Sequence, residues 1–423
     1  MALATSYNVT SAKGAREDLL NILRLVEPTV TPLYSTLKQT KAPQALLVEW
    51  LVDTLSSPDI TGVVDGVDLS LTAGGTDFVN QIDSRARMGN RVTTLRRTYA
   101  VSRQAQMIDV APGERLLAAS KAKSLVELKR DIETAIGSGN SQVTGSSTVA
   151  ALSTGLGEFS NPSAGTGDVP AGFTAVSGSR FDLSNTVGSN TMAESDLRDL
   201  LQAVYEASGS KTDYRLFAGP SVVNEISDFS RASAGSATFE QSVAGGTLKL
   251  SISEYQSDYG VLKVIPDLFL GREEGQAITA ATNPGNPIKL TCAAHGFIVG
   301  DIVTVSGVLG NTAANGTWKV GAVADVNSLT LVTTDANPPV GSNSSGNGAY
   351  TSGGTLTSGN NTAQGVLNSR RAYLIPGDDT VSLKFLEGIT SENLPDLAAG
   401  PRAFVEAMMA LCVTNPRALG SIV

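Results

Sequence analysis

The chain has 423 residues, with 31 Lys and Arg against 40 Asp and Glu, a single His and two Cys. At roughly 100–200 residues per domain this length holds two or three domains, and a formal charge of −9 lacks the basic footprint of a sequence-specific DNA binder. One His and two distant Cys exclude H-E-x-x-H, Cys/His zinc clusters and two-histidine iron sites within one chain.

There is also no G-x-S-x-G, no Walker A lysine and no G-x-G-x-x-G opening a helix. An Asp/Glu pair of the glycosidase kind is conceivable, but nothing singles one out. The expectation is no enzyme, no catalytic residue, no metal and no cofactor. Neither a signal-peptide pattern nor a run of about 18 apolar residues occurs, so the chain is expected to fold in the cytosol without a membrane partner. Cys292 and Cys412 are expected to be small buried hydrophobes.

In chain order, residues 1–45 read as an extended arm with one short helix. "AREDLLNILRLVEP" puts Leu19, Leu20, Ile22, Leu23 and Val26 on one stripe, and Pro28 stops it. An arm of this kind needs another surface to lie on.

Residues 46–111 carry an uneven charge map. Seven carboxylates (Glu49, Asp53, Asp59, Asp65, Asp68, Asp77, Asp83) precede Arg85 with no basic residue among them; from Arg85 to Arg103 there are six arginines (Arg85, Arg87, Arg91, Arg96, Arg97, Arg103) and no acid. The flanks "ALLVEWLVDTL" and "NRVTTLRRTYAVS" have strand composition, which predicts a long hairpin with an acidic and a basic arm. Three readings are open: a solvated hairpin, a projecting hairpin whose charges meet those of a neighbouring copy, and nucleic-acid binding by the arginines. Under the second, reversing Arg96 and Arg97 to Glu blocks assembly and leaves the subunit folded.

"APGERLLAASKAKSLVELKRDIETAIGSG" predicts a helix over 112–136, with Ala118, Ala122, Leu125, Ile132 and Ala135 on the apolar face and Lys123/Glu127 and Lys129/Glu133 as exposed i,i+4 pairs. Residues 138–190, rich in Gly, Ser and Thr, read as a long loop. "TMAESDLRDLLQAVYEASG" predicts a helix with a Thr191/Glu194 capping box and an inner face of Leu197, Leu200, Leu201, Val204 and Tyr205. "LFAGPSVVNEISDFSR" predicts a strand and then a helix with Pro220 in its first turn. "SISEYQSDYGVLKVIPDLFL" predicts an extended stretch, a turn at 258–260 and a strand running into Phe269.

From about 277 to 365 the composition changes to short β runs ("PIKLTCAAHGF", "DIVTVSGV", "GTWKVGAV", "SLTLVTT") between Gly, Asn and Asp turns, before the charged style resumes at "NSRRAYLIPGDDTVSLKFLEG". This predicts a small β-barrel set into a loop of another domain. His295 lies in it without a triad partner in the sequence, so a structural role is favoured.

The barrel stretch, with "AAHGFIVGDIVTVSGV", "NGTWKV", "SLTLV" and "YTSGGT", resembles a small module found in phage structural proteins. In that module the His-Gly-Phe turn shapes the barrel mouth. The rest of the chain, through "REDLLNILRLVEPTVTPL", "VEWLVDTL" and "EYQSDYGVLKVIPDLFL", resembles the major capsid proteins of tailed phages with the Hong Kong 97 type of fold.

The resemblance implies an α+β, Hong Kong 97-like fold with an inserted all-β domain. The implied divisions are an N-terminal arm (1–45), an E-loop (46–111), a peripheral domain with a spine helix (112–189), an axial domain (190–276), the inserted barrel (277–365) and return strands (366–423). It implies a homo-oligomer of hexamers and pentamers in an icosahedral head, scaffolding and portal proteins as partners, packaged DNA held non-specifically, synthesis in the host cytoplasm and residence in the virion. The assembly candidates are then Glu49, Asp53, Asp59, Asp65, Asp68, Arg85, Arg87, Arg91, Arg96, Arg97 and Arg103. No lysine lies between Lys41 and Lys121, so the E-loop lysine cross-link of the fold's namesake has no counterpart and the shell is expected to be non-covalent. The rival readings are an encapsulin-type compartment and a β-rich adhesin or tail-fibre component.

Overall fold

The computed structural model describes residues 29–55, 85–107, 116–162, 169–181, 192–209, 213–232, 253–270, 276–334, 348–358, 371–395 and 400–422, apart from positions 43, 171, 284, 285, 294, 296, 298, 326 and 378, together with positions 58, 60 and 65. The helix expected around 19–26 lies outside these residues. The described elements are mixed α and β. The chain divides into two units, one of residues 1–29, 96–128 and 390–406, the other of 30–95, 129–389 and 407–423.

The first described element is a single helical turn, α1 (Pro32–Thr36), where "TPLYSTLKQTKAP" shows no period. Pro32 supplies the fixed φ that opens it. It leads into β1 (Lys38–Lys41), which pairs in parallel with β16 (Val381–Leu394). β4 (Thr93–Ala100) and β17 (Arg402–Val413) complete a four-stranded sheet of order β1-β16-β17-β4. β2 (Leu47–Val52) and β3 (Ala86–Arg91) form the expected antiparallel pair.

After α2 (Arg103–Met107), the long helix α3 runs over Leu116–Ile136 and ends just before Gly137, as read from the sequence. Its buried row differs from the expectation. Ala118 and Ala122 are exposed, and the inner row is Ser124, Leu128, Ile132 and Ile136 at strict i,i+4 spacing. Glu133, expected on an exposed face with Lys129, is 0% exposed. The alanines misdirect the reading because Ala is tolerated on either face, whereas Leu128, Ile132 and Ile136 contribute about 1.5–3 kcal/mol each when buried.

The described part of the long loop expected over 138–190 is largely packed. Val143 and Leu152 form a bridge, α4 (Leu156–Phe159) is buried throughout, and Ser138, Asn140, Thr154 and Ser160 are buried with it. A Cβ on Gly155 would lie 2.1 Å from the Ser138 carbonyl oxygen. Small residues here serve close backbone approach, which composition alone does not distinguish from a flexible loop.

A six-stranded sheet of order β5-β18-β15-β6-β8-β7 is built from β5 (Arg180–Phe181), β6 (Tyr214–Ala218), β7 (Glu254–Ser257), β8 (Gly260–Pro266), β15 (Ala372–Pro376) and β18 (Gly420–Ile422). Helices α5 (Glu194–Ser208) and α6 (Pro220–Ala232) supply its covering core through Leu197, Leu200, Leu201, Val204, Val222 and Ile226. Thr191 lies outside the described residues; the N-cap of α5 is Ala193, which has no side-chain acceptor, and only the reciprocal bond is made, Asp196 Oδ2 accepting from the Ala193 backbone N–H at 2.8 Å. β8 stops at Pro266, short of Phe269, because Asp267 Oδ1 accepts from the Phe269 N–H at 2.9 Å and turns the chain.

Between β8 and β15 in sequence, six strands close into a barrel of order β10-β13-β12-β11-β14-β9. They are β9 (Gln276–Ala281), β10 (Lys289–Cys292), β11 (Ile302–Ser306), β12 (Gly316–Asp325), β13 (Ser328–Val332) and β14 (Thr355–Ser358). Alternation sends Ile278, Leu290, Cys292, Val303, Val305, Val320, Leu329, Leu331 and Leu356 inward. Closure leaves no free edge for aggregation. Gly354 precedes β14 with φ of 105°, and a Cβ there would meet Val308 Cγ2 at 2.5 Å.

Candidate assembly surface and its buried anchors

The β2–β3 pair has two unlike faces. Register sets Trp50 opposite Met88 and Val48 opposite Asn90, and Val48, Val52, Met88 and Asn90 point into the protein. Asn90 is 0% exposed and spends its amide fully: Nδ2 donates to Thr154 O and Leu411 O at 3.1 and 2.7 Å, while Oδ1 accepts from Thr154 N–H at 2.8 Å. That residue ties the root of the hairpin to the packed loop and to β17.

The outer face carries the charges, and they pair within the hairpin. Arg85 Nε is 3.1 Å from Asp53 Oδ2, and Arg87 Nη1 is 3.6 Å from Glu49 Oε1. All four side chains are well exposed, so each pair contributes a few tenths of a kcal/mol and is screened by salt. Asp65 is an exposed turn residue, Arg91 ends β3 opposite Leu47, and Arg103 opens α2. Asp59 and Asp68 lie outside the described residues, as do Asp77 and Asp83.

Arg96 is engaged differently. Its Nε donates to the carboxylate of Glu406, and its guanidinium lies 4.6 Å over the ring of Phe404. Glu406 is buried at 5% exposure. Arg97 has interactions of its own. Reversal of Arg96 therefore sets a second carboxylate against the buried Glu406 inside the subunit, a cost that the charge map alone does not reveal.

What the charge map overlooked is apolar. Leu46, Leu51, Leu55 and Ile60 are 72, 69, 97 and 97% exposed. Leu46, Leu51 and Leu55 stand in the stretch "LLVEWLVDTL", whose composition was used only to predict a strand, and Ile60 follows it. Single exposed leucines are ordinary, but these are four large apolar side chains within fifteen positions.

His295 is 1% exposed. Its Nδ1 accepts from the Phe297 N–H at 3.1 Å, Nε2 is 3.3 Å from Asp325 O, and the ring stacks on Phe297. An accepting Nδ1 with Nε2–H facing a carbonyl defines a neutral imidazole fully used in holding a turn. Cys292 and Cys412 are both buried, and burial pushes the Cys412 thiol up, away from reactivity. Among the described residues no group of three or more His, Cys, Asp or Glu side chains could hold a metal, and no helix is long and apolar enough to cross a membrane.

A profile of the SU10 major capsid protein family matches residues 3–282. The chain belongs to that family. The capsid subunit is thus a shell-forming phage structural protein that resides in the virion capsid, and its family suggests a non-enzymatic role. No curated protein matches it. Solved structures similar to the subunit include the capsid of cyanophage P-SCSP1u (9% identity, 96% of this chain and 92% of that one, TM-score 0.47). The capsid of cyanophage Pam1 is similar at 10% identity over 99% and 98% of the two chains, with a TM-score of 0.46. An encapsulin complex from Synechococcus elongatus follows at 10% identity over 96% and 91%, with a TM-score of 0.42.

Proposed function

We propose that this subunit tiles the icosahedral head of a tailed phage, as hexamers and pentamers in a Hong Kong 97-like arrangement, and encloses double-stranded DNA without enzymatic activity. The observation that carries this reading beyond family membership is the β2–β3 pair: a buried inner face rooted by Asn90, with Leu51, Leu55 and Ile60 exposed in and after β2. A subunit that works alone has no use for that surface, and a repeated one buries it on its neighbour.

In this reading residues 1–45 are the N-terminal arm, 46–111 the E-loop, 112–189 the peripheral domain with α3 as spine helix, and 190–276 the axial domain. Residues 277–365 are the inserted barrel and 366–423 the return strands. The insertion is supported by sheet topology: β8, before the barrel, and β15, after it, both pair with β6, while the barrel strands pair only among themselves. We place the barrel on the outer surface, where it does not compete with packaged DNA for volume. Scaffolding and portal proteins are the further partners, assembly follows synthesis in the host cytoplasm, and the shell is held without covalent links.

The test is electron microscopy and sedimentation of particles from infected or induced cells. Closed angular shells with surface knobs and nuclease-protected DNA are expected. Shells filled with protein cargo point to an encapsulin-type compartment, and a small uniform particle at all concentrations refutes the shell reading. Replacing Leu51 and Leu55 together by Ser is expected to abolish shells while the chain keeps its melting temperature, since both side chains are exposed in the subunit. Normal shells from that variant would remove the hairpin from the interface.

A further inference from the structure

Asn315 stands between a short 3-10 turn (Thr312–Ala314) and the start of β12. Its side-chain amide is spent on one residue. Oδ1 accepts from the Val308 N–H at 2.9 Å, and Nδ2 donates to the Val308 carbonyl at 3.0 Å. Val308 is buried in the barrel core, so these two bonds close the 308–315 loop over it. A side chain of this length that supplies both a donor and an acceptor to one backbone unit is Asn.

The next residue is constrained for a separate reason. Gly316 has φ of 139°, a conformation that L side chains rarely adopt, and a Cβ there would stand 3.4 Å from Trp318 Nε1, which donates to the Ala314 carbonyl at 2.8 Å. The turn therefore requires Asn followed by Gly, and that dipeptide carries a chemical liability. With no Cβ beside it, the glycine nitrogen is poorly shielded and can attack the Asn side-chain carbonyl carbon. The new C–N bond closes a five-membered imide, the side-chain nitrogen leaves as ammonia with the proton of the glycine N–H, and water then opens the ring to Asp or to isoaspartate.

Ring closure needs the Gly316 nitrogen eclipsed with the Asn315 Cβ about the Cα–C bond. Asn315 is instead extended, with ψ of 135°. Its amide cannot turn toward Gly316 without giving up both bonds to Val308.

We propose that Asn315-Gly316 is a latent deamidation site: the folded barrel holds it shut, opening of the 308–316 loop exposes it, and the product cannot relock the loop.

The last step follows from the donors. In Asp, the oxygen that replaces Nδ2 faces the Val308 carbonyl oxygen, two acceptors with no proton between them. In isoaspartate, the main chain gains a methylene just before Gly316 and Thr317, which pair with Val305 and Thr304 of β11. The same loop is tied to the approach to β14: the Leu309 N–H donates to Ser352 O at 3.0 Å and the Thr351 N–H to Leu309 O at 2.9 Å. Its release frees that end of the barrel. Each event is irreversible, so a population of subunits keeps a record of how often the loop has opened.

The test follows the full-length chain by peptide mapping at mildly alkaline pH and holds for assembled or free subunits, so its failure leaves the shell reading untouched. In denaturant the peptide containing Asn315 should gain the mass of an amide-to-acid exchange, as should that of the other Asn-Gly pair, Asn347-Gly348. In the native chain, conversion at Asn315 should be slower by about a hundredfold or more, because it waits for local opening. Gly310→Ala leaves the dipeptide intact but sets a Cβ 2.0 Å from the Ala349 carbonyl oxygen, and should raise the native rate at Asn315 by about tenfold or more. Asn315→Asp, the product itself, should speed amide hydrogen exchange across 308–316 by about tenfold or more. Equal rates in the native and denatured chain, an unchanged native rate in Gly310→Ala, or wild-type exchange in Asn315→Asp overturns the proposal. Should either variant not fold, the two wild-type rates decide the matter.

Discussion

Replacing Arg371 by Met will destabilise the full chain by about 3–5 kcal/mol in chemical denaturation, because it removes the guanidinium that answers the buried Asp301 carboxylate. Arg371 is 0% exposed and its side chain closes four contacts. Nε is 3.3 Å from Asp301 Oδ1, Nη2 donates to Asp301 Oδ2, and Nη1 donates to the carbonyls of Gly137 and Leu270 at 2.9 Å each. Tyr373 also donates to Gly137 O, at 2.8 Å, with a phenol pushed up to about 12 by burial and so kept protonated.

Four distant pieces of chain converge on this guanidinium: the end of α3, the exit of β8, the barrel and the start of β15. The pair fixes geometry more than it adds stability. Apolar replacement of both partners in a buried ion pair is often neutral, whereas removing one is costly. The double variant Arg371→Met with Asp301→Leu should therefore recover most of the loss. A second tie, from Arg180 Nη2 to Val299 O at 3.0 Å, holds the same side of the barrel. A double variant as unstable as Arg371→Met alone would mean that the carbonyl contacts, not the ion pair, carry the joint.

The legible parts of the sequence were those with a local cause. The helices α5 and α6 and the barrel strands follow from periodicity and turn residues, and the barrel's start from a change of composition. The end of α3 follows from Gly137. Long-range partners left no such mark. Nothing near Glu133 in sequence marks it as buried, because its donors are backbone groups about one hundred positions earlier. Arg371 follows another Arg in "NSRRAYL" and only the fold tells the latch from its neighbour. The hairpin was read by its charges, which pair in cis, while its exposed leucines passed as strand composition. His295, the sole imidazole, holds a turn through its two nitrogens, and the partners it uses left no sign in the sequence.

Charge reversal at Arg96 is expected to lower stability by about 2–3 kcal/mol, less than a fully buried pair would lose because Arg96 is 54% exposed. Glu406 is the reason: it sits on β17 with its side chain 7% exposed and would face a second carboxylate. The cation over Phe404 is lost as well. Reversal at Arg87, by contrast, should cost about 1 kcal/mol or less, since Glu49 is 41% exposed and can turn to water. The contrast decides how assembly defects are read. Missing shells from Arg96→Glu report a weakened subunit, whereas missing shells from Arg87→Glu with an unchanged melting temperature report a contact between copies. If Arg96→Glu melts like the wild type, the Glu406 pair contributes nothing, and Arg96 returns to the set of side chains available to a neighbouring subunit.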